Sequence, residues 1–143
     1  MTNAVAPASA TARLDRIAVK DGVSLGLLGA ADREAVLAHA ALHLPASGAL
    51  DERAVNASLI THLDRGGAML RTDHVELRRT LVDSGWVQRD GYGRRYVLAP
   101  DAPARAAALL GDVDAETLDL RIATVRRAHA EARRLRREQH VPS

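Results

Sequence analysis

The clearest hydrophobic period in the chain lies between residues 30 and 44. Ala31, Val36, Leu37, Ala40, Ala41 and Leu44 recur at the three-and-four spacing of a helix. Asp32 and Glu34 stand in its first turn, where the helix dipole favours acids, and Pro45 and Gly48 end it. A second helix is predicted over 51–63, opened by Asp51-Glu52, with Val55, Leu59, Ile60 and Leu63 as its buried stripe. Gly66-Gly67 then breaks the chain. A third helix is predicted over 72–84, with Val75, Leu77, Leu81 and Val82 on its buried half and Gly85 as its stop. Residues 86–89 and 94–98 read as two strands around the turn Asp90-Gly91-Tyr92-Gly93, and Pro100 and Pro103 close the domain. Three helices followed by a hairpin is the layout of a winged helix, with its helix-turn-helix and wing between Leu50 and Leu98.

The flanks carry weaker patterns. Ile17 and Val19 precede Asp21-Gly22, and Val23, Leu25 and Leu27 follow it. Asp-Gly supplies the positive φ of a tight turn, so an N-terminal β-hairpin is predicted over 16–27. Residues 1–12, rich in Ala, Thr, Ser and Pro, are expected as a disordered leader, and residues 100–113 as a linker. A final long helix is predicted over 117–138, with Leu118, Ile122, Val125, His129, Ala132 and Leu135 on one side. That stripe of small and polar residues suits docking on the domain or pairing with a second copy. The expected fold is therefore α+β, mainly α. It consists of a winged helix-turn-helix domain over 13–99 with an N-terminal hairpin, an appended basic helix over 114–138, and a tail over 139–143.

Composition narrows the chemistry. The 143 residues are 47% hydrophobic and 27% charged but only 2% aromatic, with no Phe, which suits a soluble protein with a helical core of Ala, Leu and Val. With no Cys, disulfides, thiolate zinc sites and cysteine nucleophiles are excluded. No apolar run spans a bilayer and the N-terminus lacks a signal-peptide pattern, so a cytoplasmic location without a membrane partner is expected.

Two enzyme-like patterns lack their context. Gly22-Val23-Ser24-Leu25-Gly26 matches a nucleophile elbow in letters, but that motif needs a strand before it, a helix after it and a hydrolase-sized sheet. His39 and His43, four apart on one helix, can present two metal ligands on one face, with a third required from His62, Asp64 or His74. There is no HExxH motif, P-loop or Rossmann glycine pattern. The expectation is a binding protein, not an enzyme, with no metal and no cofactor.

Charge points to where binding would occur. Residues 121–138 hold seven arginines against two glutamates, net +5, whereas the remainder holds 13 basic and 16 acidic residues. Such asymmetry calls for an acidic partner. In a helix-turn-helix the second helix of the motif enters the major groove. Here its exposed face holds Thr72, Asp73, Glu76, Arg79, Thr80 and Asp83, and three acids oppose phosphate contact. Arg78 falls within the apolar half and needs a partner such as Asp51, Glu52 or Asp64. The hairpin is more basic, with Arg89, Arg94 and Arg95 around Tyr92 and its flanking glycines. The expected contacts to double-stranded DNA are Arg79, Arg89, Tyr92, Arg94 and Arg95, with Arg126, Arg133 and Arg137 of the tail as auxiliary phosphate contacts, in a transcriptional regulator. The alternative is a protein-interaction module, including a homodimer formed through the C-terminal helix.

Several strings carry a family resemblance. Asp-Glu-Arg-Ala-Val-Asn at 51–56, Leu-Arg-Arg-Thr-Leu-Val-Asp-Ser-Gly at 77–85, and then Arg89, Asp90, Gly93 and Tyr96 resemble the bacterial family called domain of unknown function 2087. Asp21-Gly22 and the apolar run after it are similar to that family's N-terminal segment, so the resemblance covers roughly 16–98. It implies a winged-helix-like fold sometimes found beside transcription-regulator domains, and no known activity. The segment 64–72, with Gly66-Gly67, is longer than the family's short link.

Overall fold

In the computed structural model, residues 5–90, 92 and 94–139 are described, with side chains from residue 11 onward. Its organising element is the helix Ala30–Ala41 (α2), in which seven consecutive residues from Ala35 to Ala41 are buried. A helical segment buried on every side belongs in the middle of a structure. The run of alanines lets neighbours approach it closely. The helix Val5–Ala18 (α1), the helix Ala102–Leu110 (α5) and the helix Ala115–Gln139 (α6) all pack on it. α2 stops at Ala41, earlier than predicted, and a tight turn from Leu42 to Leu44 follows, closed by Leu44 N–H to Ala41 C=O at 3.0 Å.

The second part begins with the two-residue strand Leu50–Asp51 (β1) and runs directly into the helix Glu52–Leu63 (α3). Asp51 caps α3 by accepting from Ala54 N–H at 2.8 Å, and Asp73 caps the helix His74–Asp83 (α4) by accepting from Glu76 N–H at 2.8 Å. Gly85 ends the turn after α4 at φ +80°, a conformation that only glycine adopts without strain. The strands Val87–Arg89 (β2) and Arg95–Leu98 (β3) form an antiparallel hairpin with Val87 opposite Leu98 and Arg89 opposite Tyr96. β1 adds to the far side of β3, giving a three-stranded antiparallel sheet in the order β1-β3-β2. The coarse class is thus α+β and mainly helical, as expected.

Three expectations for the flanks are corrected. The N-terminal hairpin does not form. Leu14, Ile17 and Ala18 are buried at helical spacing and residues 5–18 form α1, while Val23 makes a parallel bridge to Leu70 across the molecule. The first half of the supposed hairpin is helix because three-and-four burial against α2 and α5 outweighs a loose alternation over few residues. Residues 5–12 of the expected leader belong to α1, while residues 1–4 of it, the turn glycines Gly91 and Gly93, and residues 140–143 of the tail lie outside the described residues. The expected linker contains α5. Pro103 sits in its first turn, where a missing N–H costs nothing, and Ala102, Ala106 and Leu110 are buried. Ile60, assigned to the buried stripe of α3, is 44% exposed, and His62 takes the inward position instead.

A polar knot joins the two parts. Trp86 is fully buried, with Arg105 of α5 stacked 3.9 Å over its ring. Arg105 also donates to Glu34 of α2 at 2.6 Å and to the Ser84 carbonyl at 3.1 Å. Among the described residues no helix is long and apolar enough to cross a membrane. Leu81, completely buried on α4, reports on the integrity of this core. Leu81→Ala is expected to cost about 2–5 kcal/mol, read as a lower urea midpoint at unchanged slope.

Candidate functional site

Two places combine reactive or charged side chains. The first is an open groove of about 490 Å³ between α4 and the β2–β3 hairpin, lined by Arg78, Arg79, Arg89 and Tyr92 and by the acids Glu52 and Asp83. Arg79, Arg89 and Tyr92, separated in sequence, thus meet on one surface. Arg94 and Arg95 are exposed on the hairpin, and Arg94 lies 5.8 Å from the centre of the Tyr92 ring. Asp90 shapes the turn by accepting from the Tyr92 and Arg94 N–H groups at 3.1 and 2.9 Å. Arg78 is structural, as its place in the apolar half predicts. It pairs with Glu52 at 3.3 Å, donates to Asn56 Oδ1 at 2.6 Å and covers the Tyr96 ring at 5.5 Å. Two acids of α4 also have local duties. Asp73 caps the helix, and Glu76 accepts from the Thr72 hydroxyl.

The tail arginines are divided. Arg126 donates to the Ala18 and Lys20 carbonyls at 2.8 and 2.9 Å and to Asp21 at 2.7 Å, so its guanidinium closes the C-terminal end of α1. Arg121 grips Asp15 with two hydrogen bonds, at 2.9 and 2.6 Å. Arg133 and Arg137 are exposed farther along α6, away from the groove.

The second place is buried. His39 on α2, His43 in the turn after it, His62 near the end of α3 and Asp119 on α6 bring four potential donor atoms within 4.8 Å of one another. His39 Nε2 lies 2.8 Å and His43 Nε2 3.1 Å from the same oxygen, Asp119 Oδ1. The His62 ring stands 4.8 Å from that of His39 and 4.6 Å from that of His43, centre to centre, and its buried Nδ1 has no hydrogen-bond partner. His39 and His62 are each 1% exposed. The cluster exists because the backbone beside it has no side chains. A Cβ at Gly66 would run into Asp119 Oδ1 and His39 Cε1, and one at Gly67 would lie 2.8 Å from His62 Nε2. The glycine pair that reads as a chain break therefore forms the wall of this site.

Burial sets its protonation. Loss of hydration lowers the pKa of His39, against the opposing pull of Asp119, and lowers that of His62 well below the ordinary imidazole value. For Asp119 burial is the largest influence and pushes upward. The hydrogen bonds and charges of His39 and His43 together outweigh it and leave the carboxyl below its usual value. At neutral pH the site therefore offers neutral His39 and His62 rings beside an ionised carboxylate. Of the third ligands considered from sequence, His62 is present, and Asp64 and His74 are not among the four. Asp119 escaped notice because it lies 76 residues beyond His43. Its one signal is its place between Leu118 and Ile122 on the docking side of α6.

Two outcomes are expected. Because the folded-state pKa values of His39 and His62 are depressed, the unfolded chain binds more protons as pH falls below about 6.5, so stability is retained above that value and lost below it. In buffer containing a chelator, the urea midpoint should be lower at pH 5.5 than at pH 8, and His62→Leu should flatten this dependence; equal midpoints would contradict the assignment. Gly66→Ala, which forces a methyl group into the cluster, is expected to cost about 1–3 kcal/mol in the same titration.

The family model described as "Uncharacterized protein conserved in bacteria (DUF2087)" matches residues 29–98. No curated protein and no solved structure matches the chain. The matched segment runs from the N-cap of α2 to the end of β3 and includes all three histidines of the cluster. Asp119 and the helices α1, α5 and α6 lie outside it, as does Asp21-Gly22. Residues 29–98, just under half of the chain, thus match this bacterial family.

Proposed function

We propose that the protein is a winged-helix module that binds double-stranded DNA as a transcriptional regulator. The observation that carries this reading is the succession α2-β1-α3-α4-β2-β3 with the sheet order β1-β3-β2, which is how a helix-turn-helix with a following wing closes on itself. In this arrangement α4 is the recognition helix and the β2–β3 hairpin is the wing. The groove between them opens Arg79, Arg89 and Tyr92 to solvent, with Arg94 and Arg95 beside it. Two acids that argue against DNA on the sequence alone have intramolecular partners, which leaves Asp83 as the acid of α4 lining the groove. Arginines on a hairpin neutralise phosphates and position the module, while base edges would be read by α4. Arg133 and Arg137, exposed on α6 away from the groove, would meet phosphates only where the DNA reaches beyond it. Arg126 does not contribute, because its guanidinium is held by α1.

A second reading, association of two copies through α6, is favoured by Leu120 and Leu135, which are 64% and 45% exposed. It is compatible with the first, since dimeric regulators bind paired half-sites. Sedimentation at rising concentration reads it directly.

The DNA reading predicts binding to random-sequence duplex at low salt that weakens as salt rises. Replacing Arg89, Arg94 and Arg95 together by Ala should lower the slope of log K against log salt by about 0.9 for each phosphate that is no longer neutralised. Unchanged fluorescence anisotropy titrations for that variant would remove the hairpin from the interface.

A further inference from the structure

We propose that His39, His43, His62 and Asp119 bind one first-row divalent transition-metal ion, zinc by preference, in a closed four-coordinate site that fastens α6 to α2 and α3. This goes beyond the DNA-binding reading and does not rest on it.

The donor set selects the metal class. Three imidazole nitrogens and one carboxylate oxygen suit zinc and its neighbours, whereas calcium and magnesium require oxygen. With ligand bonds of about 2.0–2.2 Å, a tetrahedral zinc ion spaces its donor atoms about 3.4 Å apart. The His39 and His43 nitrogens already stand 2.8 and 3.1 Å from Asp119 Oδ1, so they need only open slightly, while the widest pair, within 4.8 Å, closes by side-chain rotation. Each Nε2 donates its proton to Asp119 in the metal-free site, and the ion takes that place once the ring proton moves to Nδ1 or is released.

Hydrogen bonding alone accounts for only part of the cluster. His39 and His43 share one carboxylate oxygen, but His62, equally buried, packs against both rings with its Nδ1 unpartnered. A ring placed there for packing would be better as Leu, because a buried polar atom without a partner is costly. An ion at the centre gives the third ring its reason. Gly66 and Gly67 supply the room, since a Cβ at Gly66 would meet both Asp119 and His39 and one at Gly67 would meet His62.

The surroundings supply a path. Asp119 also lines an open surface cavity of about 510 Å³, with Asp64 and Glu116 as acids and Arg65 and Arg126 as bases. Asp119 and His43 are each 11% exposed, and the acids of the cavity attract a cation to Asp119, which lines it. Four protein donors leave no coordination position for a substrate, so the ion's role is structural and it holds the tail helix against the family segment.

The test uses the full chain, dialysed against chelator and then titrated with cobalt(II) chloride. Expected are the intense visible bands of four-coordinate cobalt, saturation at one ion per chain, their loss when zinc chloride is added, and a rise in Tm with zinc. Asp119→Ala and His62→Ala should each weaken binding by at least the roughly 10–100-fold seen when mere outer partners of a metal are removed. Should either variant lose its helical circular dichroism without metal, Asp119→Asn decides the matter, because an amide can still bond both imidazoles but is a poor ligand. A weak six-coordinate cobalt spectrum, or equal affinity in wild type and Asp119→Asn, would overturn the proposal.

Discussion

The burial of α2 on every side from Ala35 to Ala41 is the constraint on which the rest depends. Ala35, Ala38, Ala40 and Ala41 have too little surface to hold neighbours by area alone, and what they permit is proximity. α1 and α5 press against it, α6 crosses it, and each approach is tightened by a charged group at the margin. Arg105 reaches Glu34, Arg13 reaches Asp32, and Asp119 reaches His39. With little aromatic area available, the molecule relies on short helices in close contact and on arginines that join them.

The same burial creates the histidine cluster. A histidine on a helix exposed along one face would usually point to water, but no face of α2 around residue 39 meets solvent. His39 is therefore inside by necessity, and its ring needs a polar neighbour. Asp119 and the turn at His43 provide one, and the bare backbone at Gly66-Gly67 lets His62 join. Packing and chemistry are here the same fact.

Legibility from sequence followed the range of the interactions. α3, α4 and the hairpin were readable because their caps, stripes and turn residues lie within a few positions of one another. The extent of α2 was nearly readable, but its burial on every side was not, since uniform alanine has little period. β1 is two residues long and exists only because β3 accepts it. The N-terminal hairpin failed because Val23 finds its partner at Leu70, not nearby. α5 was hidden by its prolines, which mark a helix start as readily as a loop. In the cluster, the pair His39 and His43 was visible as a spacing, while Asp119 required knowing where α6 docks. Likewise nothing local separates Arg126, which closes α1, from Arg133, which faces solvent.

The anchoring of α6 has a mechanical corollary. Its buried residues are Leu118 and Ile122, and Arg126 holds it to the end of α1. Thirteen residues follow before the helix ends at Gln139, a rod of about 20 Å at the rise of an α-helix. The rod pivots near Arg126, about two turns beyond Asp119 on the same helix. A tilt of about 6° there would carry the tip roughly 2 Å. A small adjustment at that pivot is thus magnified at the far end, where Arg133, Arg136 and Arg137 project.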